Sequence, residues 1–91
     1  MTYMLARNRV EDFERWHAVF ASHRASHVSA GLTLESVWRV KGDPNTVFFL
    51  FEVADVARAE AFISDPSSAE AGKEAGVLEG EYHYVENAPG Y

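Results

Sequence analysis

The segment TVFFLFEV, Thr46 to Val53, spells a strand that is apolar on both faces. Successive side chains of a strand point to opposite sides. Val47, Phe49, Phe51 and Val53 therefore share one face and Phe48 and Leu50 the other, with Glu52 as the exception. A strand with one apolar face needs one covering layer; this one calls for two. Upstream, Leu32 to Lys41 (LTLESVWRVK) also alternates. Leu34, Ser36, Trp38 and Val40 fall on one side, and Glu35, Val37 and Arg39 on the other. Gly42-Asp43-Pro44-Asn45 between the two runs is turn chemistry, so the pair reads as a β-hairpin.

Before the hairpin, Thr2 to Arg9 (TYMLARNR) reads as a strand with Met4, Ala6 and Asn8 opposite Tyr3, Leu5 and Arg7. The period then changes. Phe13, Trp16, Phe20, His23 and His27 recur at spacings of three and four, which predicts a single helix from Glu11 to Ala30, stopped at Gly31. After the hairpin, Asp55 is placed to cap a helix through Phe62. Asp65-Pro66 starts another with a capping side chain and proline at the first helical position; it runs to Ala75 and stops at Gly76. Glu81 to Glu86 (EYHYVE) is a last strand, and Asn87 to Tyr91 a tail.

The order is β-α-β-β-α-β with the second helical region broken, the ferredoxin-like arrangement. It predicts an α+β fold of one domain, residues 1–91, with a four-stranded antiparallel sheet in the order 4-1-3-2. Right-handed crossovers bring all helices to one face. Phe48 and Leu50, with Tyr3, Leu5 and Val37, then form an apolar patch on the other face. A second copy of the chain is the economical cover, which predicts a homodimer.

Composition narrows the function. The 91 residues carry 14 acidic and 8 basic side chains, a formal charge of −6. Nucleic-acid binding needs a basic stripe and is not expected. No apolar run approaches the roughly 20 residues of a membrane span. The start of the chain lacks a signal-peptide pattern, so a cytoplasmic location is expected. With no cysteine, neither disulfides nor thiolate metal sites are available.

The residues that bear chemistry are few. Asn8 closes the first strand on the face assigned to the helices. Its amide reads either as a donor and acceptor toward a ligand or as a turn group bonding nearby backbone. Trp38 and Ser36 are assigned to that same face, Trp38 as an aromatic wall or as core. Trp16, between Phe13 and Phe20, reads as core. His23 and His27 are four apart on one helical face. That spacing suits a metal, but no carboxylate completes a motif, so no metal is expected; a neutral histidine moving protons is the better functional reading. His83 shares a strand face with Val85, opposite Tyr82 and Tyr84; which face meets the helices is open. Arg7, Glu35, Arg39 and Glu52 fall on the face away from the helices, where their charges can cancel. No phosphate loop and no nucleophile elbow is present.

Taken together, VEDFERWHAVFASH, AGL, DPNTVFFLFEV and AEAGKEAGV resemble small members of the dimeric α+β-barrel superfamily, antibiotic-biosynthesis monooxygenase-like and cyclase-like proteins. The likeness runs from Tyr3 to Val85. It implies that two ferredoxin-like chains pair into a barrel. It also implies a range of activities: cofactor-free oxygenases, haem-degrading enzymes, polyketide cyclases, isomerases and proteins of no known activity. Sets of asparagine, tryptophan and histidine occur in its oxygenases. The expectation is a small enzyme or enzyme-like protein acting, without a metal or other cofactor, on a hydrophobic aromatic or polyketide-like molecule. The reaction would be cyclisation, isomerisation or cofactor-free oxygenation. Asn8 would position an oxyanion and His23 or His27 would move protons; Trp38, Ser36 and His83 would bind substrate. The pocket is expected inside one subunit, between the first helix and the sheet. The alternatives are a non-catalytic ligand-binding or accessory dimer and, third, haem binding through an axial histidine.

Overall fold

The computed structural model describes residues 1–90; Tyr91, the end of the expected tail, lies outside the described residues. The chain runs β1 (Thr2–Val10), α1 (Phe13–Ser22), α2 (Arg24–Ser29), β2 (Leu32–Val40), β3 (Asp43–Val53), α3 (Val56–Ser64), α4 (Pro66–Glu74) and β4 (Val77–Glu86). The strands form a four-stranded antiparallel sheet in the order β2-β3-β1-β4. This is the predicted ferredoxin-like order, read from the opposite edge. Met4 pairs with Phe51, Ala6 with Phe49 and Asn8 with Val47. That register puts all six on the helix face, where the apolar members pack with Trp16, Ala59 and Ala75 in the buried core. Among the described residues no helix is long and apolar enough to cross a membrane.

The first helical region is two helices, not the one expected from Glu11 to Ala30. It begins late because Asp12 is the cap, its carboxylate accepting from the Arg15 N–H at 3.0 Å. The Phe13 N–H is met by Asn45 Oδ1 at 3.0 Å. It breaks at His23, where φ is −96° and ψ 11°. The Ser22 hydroxyl donates to the Val19 carbonyl at 2.6 Å, offering that backbone group a side-chain partner at the break. The bend lets α2 lay His27 against Phe51 and Phe62.

Strand β2 departs further from expectation. Leu34 pairs with Phe51 but Ser36 with Leu50, so Glu35 is an extra residue, a β-bulge. Beyond it every side chain changes sides relative to plain alternation. Val37 now pairs with Phe49 and Arg39 with Val47 on the helix face, whereas Ser36 and Trp38 join Leu50 and Phe48 on the outer face. The assignments of Trp38, Ser36, Val37 and Arg39 are therefore reversed. Val37 gains the core, and the Arg39 guanidinium lies 4.2 Å from the centroid of the Phe13 ring.

Two strand starts were misjudged. Strand β3 begins at Asp43, because the turn is carried by Gly42 at φ 86° rather than by the following Asp-Pro-Asn. Strand β4 begins at Val77, immediately after Gly76 at φ 75°; Gly80 had hidden its first half. The break at Asp65-Pro66 matches the prediction. Asp65 is extended (φ −68°, ψ 137°) and its carboxylate accepts from the Ser67 N–H at 2.9 Å. Asp65→Ala is expected to lower the melting temperature by a few degrees in a thermal scan, with α4 fraying from its start.

Candidate functional site

A cavity of about 310 Å³ lies between the helices and the end of β1. Asn8 reaches it from β1, Trp16 and Phe20 from α1, His23 from the helix break, His27 from α2, Phe62 from α3, and Ser68 and Gly72 from α4. A deeper cavity of about 290 Å³ shares Asn8, Phe20, His27, Phe62, Ser68 and Gly72 with it. It continues over Met4, Phe49 and Phe51 toward the β4 edge at Gly80 and Tyr82. The lining is apolar and aromatic with a few polar groups, the usual make-up of a small-molecule site.

His27 sits in an aromatic box. Its ring centroid is 4.9 Å from that of Phe20, 5.1 Å from Phe51 and 5.8 Å from Phe62. Burial, and secondarily the charge of His23, pulls the imidazole down to about 4. It is therefore neutral near pH 7 and offers one donor and one acceptor.

Asn8 crosses from the sheet to α1. With its amide oriented to satisfy both ends, the oxygen accepts from Trp16 Nε1–H at 3.2 Å and the nitrogen donates to the Arg7 carbonyl at 3.0 Å. Its cross-strand partner is Gly80, where a Cβ would stand 2.7 Å from that amide. A glycine opposite is what lets the side chain lie there. One amide N–H and one oxygen lone pair remain for a ligand.

The structure thus brings Asn8, His23 and His27 to one cavity. It does not bring Trp38, Ser36 or His83 there. Trp38 and Ser36 were carried to the outer face by the bulge. His83 pairs with Leu5 on that same outer face, so Tyr82 and Tyr84 are the residues of β4 that meet the helix side. The His83 side chain is 65% exposed, with Nε2 3.1 Å from Glu81 Oε2. Glu81 also accepts from Arg7 at 2.9 Å. The aromatic box and the small α4 residues were not anticipated. Ser68, Gly72 and Ala75, spaced by four and three, were the available signal. A second polar group lies at the β4 edge: the Tyr82 hydroxyl donates to Glu60 at 3.2 Å. The Tyr84 hydroxyl is buried without a partner among the described residues, and burial pushes its acidity down, raising its pKa. Among the described residues no group of three or more histidines and carboxylates is arranged to hold a metal ion.

No protein-family model matches the sequence, and no curated protein matches it. Solved structures do match. A protein described as a putative antibiotic biosynthesis monooxygenase from Bordetella bronchiseptica superposes with TM-score 0.79 at 16% identity, covering 96% of each chain. The chain has the antibiotic biosynthesis monooxygenase-like fold. A NIPSNAP domain protein from Burkholderia xenovorans shares it, with TM-score 0.71 at 15% identity over 100% of this chain and 98% of that one. So does SnoaB, a cofactor-independent oxygenase from Streptomyces nogalater, with TM-score 0.73 at 14% identity over 94% and 91%. Identities this low establish the monooxygenase-like fold and not a shared activity.

Proposed function

We propose that the protein binds a hydrophobic aromatic or polyketide-like molecule in the cavity beneath α1, α2 and α4 and transfers protons on it without a metal. One observation carries this reading: a neutral histidine, His27, forms part of the wall of an aromatic cavity. Burial and the neighbouring charge of His23 both disfavour an imidazolium there. When His27 takes a proton from an enolisable or phenolic substrate, the enolate or phenolate left alongside offsets the charge of the imidazolium. Returning that proton at another atom isomerises the substrate; attack of the enolate on a carbonyl closes a ring. A phenolate formed in the same way is also the electron-rich species that dioxygen would oxidise. His23, at the helix break, is placed to pass the proton to solvent. The likeness in fold to a cofactor-independent oxygenase supports the metal-free chemistry by analogy. The working unit in this proposal is a homodimer joined through the outer sheet faces.

A ligand-binding dimer without turnover is the second reading. The commitment of the Asn8 amide to Trp16 and Arg7 favours it, because an oxyanion donor already in use contributes less. His27→Phe separates the two. It keeps the aromatic packing and removes both nitrogens. With a hydroxylated aromatic found by screening, turnover should fall at least about a hundredfold. Absence of turnover by the wild type, with binding intact, would leave the binder. The same variant reads out pH. The unfolded imidazole binds a proton below its ordinary 6.5 and the folded ring resists until about 4. Wild-type stability is thus fully present above pH 6.5 and declines as pH falls toward 4. His27→Phe should flatten that slope in a series of thermal melts.

A further inference from the structure

Gly72 stands out among the glycines of the chain because no backbone demand explains it. Gly31, Gly42, Gly76 and Gly90 have positive φ, and Gly72 does not. Gly80 is held by close approach, with Asn8 2.7 Å from its absent Cβ; a Cβ on Gly72 would meet nothing within 4 Å. Yet Gly72 lies inside α4, where glycine is disfavoured relative to alanine. What the absent side chain leaves is space. Gly72 lines both the outer and the deeper cavity, at their junction, across from Phe20, His27 and Phe62. Ser68, the other α4 residue common to both, turns its hydroxyl onto the Phe62 carbonyl at 2.5 Å. On the α4 side the junction is therefore open, with no free hydroxyl, and its polar groups are Asn8 and His27 opposite.

We propose that Gly72 sets the length of ligand the protein accepts, joining the two cavities into one channel from the α1–α4 mouth to the β4 edge. The inference rests on the cavity being a ligand site. Each cavity alone, at about 310 and 290 Å³, is near the lower limit for a small-molecule pocket. Joined, they suit an elongated, flat ligand of two or more fused rings whose centre passes between Gly72 and the Phe20–Phe62 pair. A side chain of leucine size at residue 72 would divide the channel, leaving room for a single-ring or small bicyclic ligand on the His23 side.

The test compares wild type with Gly72→Ala and Gly72→Leu, using indole as the short probe and the neutral elongated dye prodan as the long one. Binding is followed at the His27 ring by NMR, so that probe on the outer sheet face is not counted. In the wild type both probes should shift His27. Gly72→Leu should weaken prodan roughly tenfold or more and leave indole unchanged. Both variants should melt above wild type, as expected for filling open space and removing a helical glycine. Prodan affinity unchanged in Gly72→Leu overturns the assignment of Gly72 and leaves the ligand site standing. Neither probe shifting His27 in the wild type overturns both. Should Gly72→Leu fail to fold, Gly72→Val makes the same comparison. A Gly72→Ala protein that melts below wild type shows that the space is not open, and the proposal falls.

Discussion

Leu50→Lys is expected to break the proposed dimer and leave the chain largely unfolded. Leu50 lies in mid-sheet on the outer face, paired with Leu5 on one side and Ser36 on the other. Tyr3 and Phe48 share that face, and so does Trp38, 48% exposed. Among the described residues no helix covers them, and a small domain leaves a large share of its surface wet when alone. Of the ionic groups on that face, Arg7 holds Glu79 at 3.0 Å and Glu81 at 2.9 Å, whereas Glu35 and Glu86 border Leu50 at one end of the patch. A second copy brought face to face would still meet mostly apolar surface. A lysine ammonium at residue 50 would lose its hydration in that contact, a cost that Glu35 and Glu86 at the edge of the patch would offset only in part. Light scattering at micromolar concentration should give about twice the 10.2 kDa chain mass for the wild type. A clean wild-type monomer would rule out the barrel pairing.

Trp16→Ala should cost about 3–5 kcal/mol in urea denaturation. Against a whole-domain stability of about 5–15 kcal/mol, that removes a large share of the total. Trp16 is 1% exposed and stacks on Phe20 at 4.6 Å, with Phe13 and Phe49 at 5.9 and 5.7 Å. Part of the cost belongs to the indole N–H, and Asn8 isolates that part. Asn8→Ala leaves the N–H buried without its acceptor, a loss of about 1–3 kcal/mol. Trp16→Phe removes the donor instead. Combining Asn8→Ala with Trp16→Phe should then cost less than the sum of the two, a coupling of about 1 kcal/mol. Strict additivity would mean the two side chains do not bond, freeing the Asn8 amide oxygen for the cavity.

Phe13, Trp16, Phe20 and His27 were legible because helical spacing is a local property, and Asp65-Pro66 because a cap and a proline act on adjacent backbone. The sheet order followed from element order and crossover handedness. The faces of β1 and β3 were legible too, since unbroken alternation runs through both. What failed was non-local. His23 ends a helix without glycine or proline, and the bend lets α2 lay His27 on Phe51 and Phe62. Trp38, Ser36, Val37 and Arg39 changed sides because of a residue that pairs with nothing. That Asn8 and the helix histidines converge is legible from the faces of β1 and the first helical region, and they border one cavity. Its aromatic walls depend on Phe62 and its openness on Gly72, and neither is visible until α3 and α4 are laid over the sheet.

The extra residue at Glu35 works as a parity switch. Inside β2 a deletion of one residue there would not shorten the strand so much as invert it. Trp38 would swing beneath the helices, and Val37 would come out among Phe48 and Leu50. Two chains that align without a gap through this stretch share an inside and an outside. A relative that differs by a single residue there has exchanged them, even where every letter downstream is the same. For comparisons across this fold at identities near 15%, whether an alignment gaps at residue 35 says more about which side chains face the cavity than the identities around it.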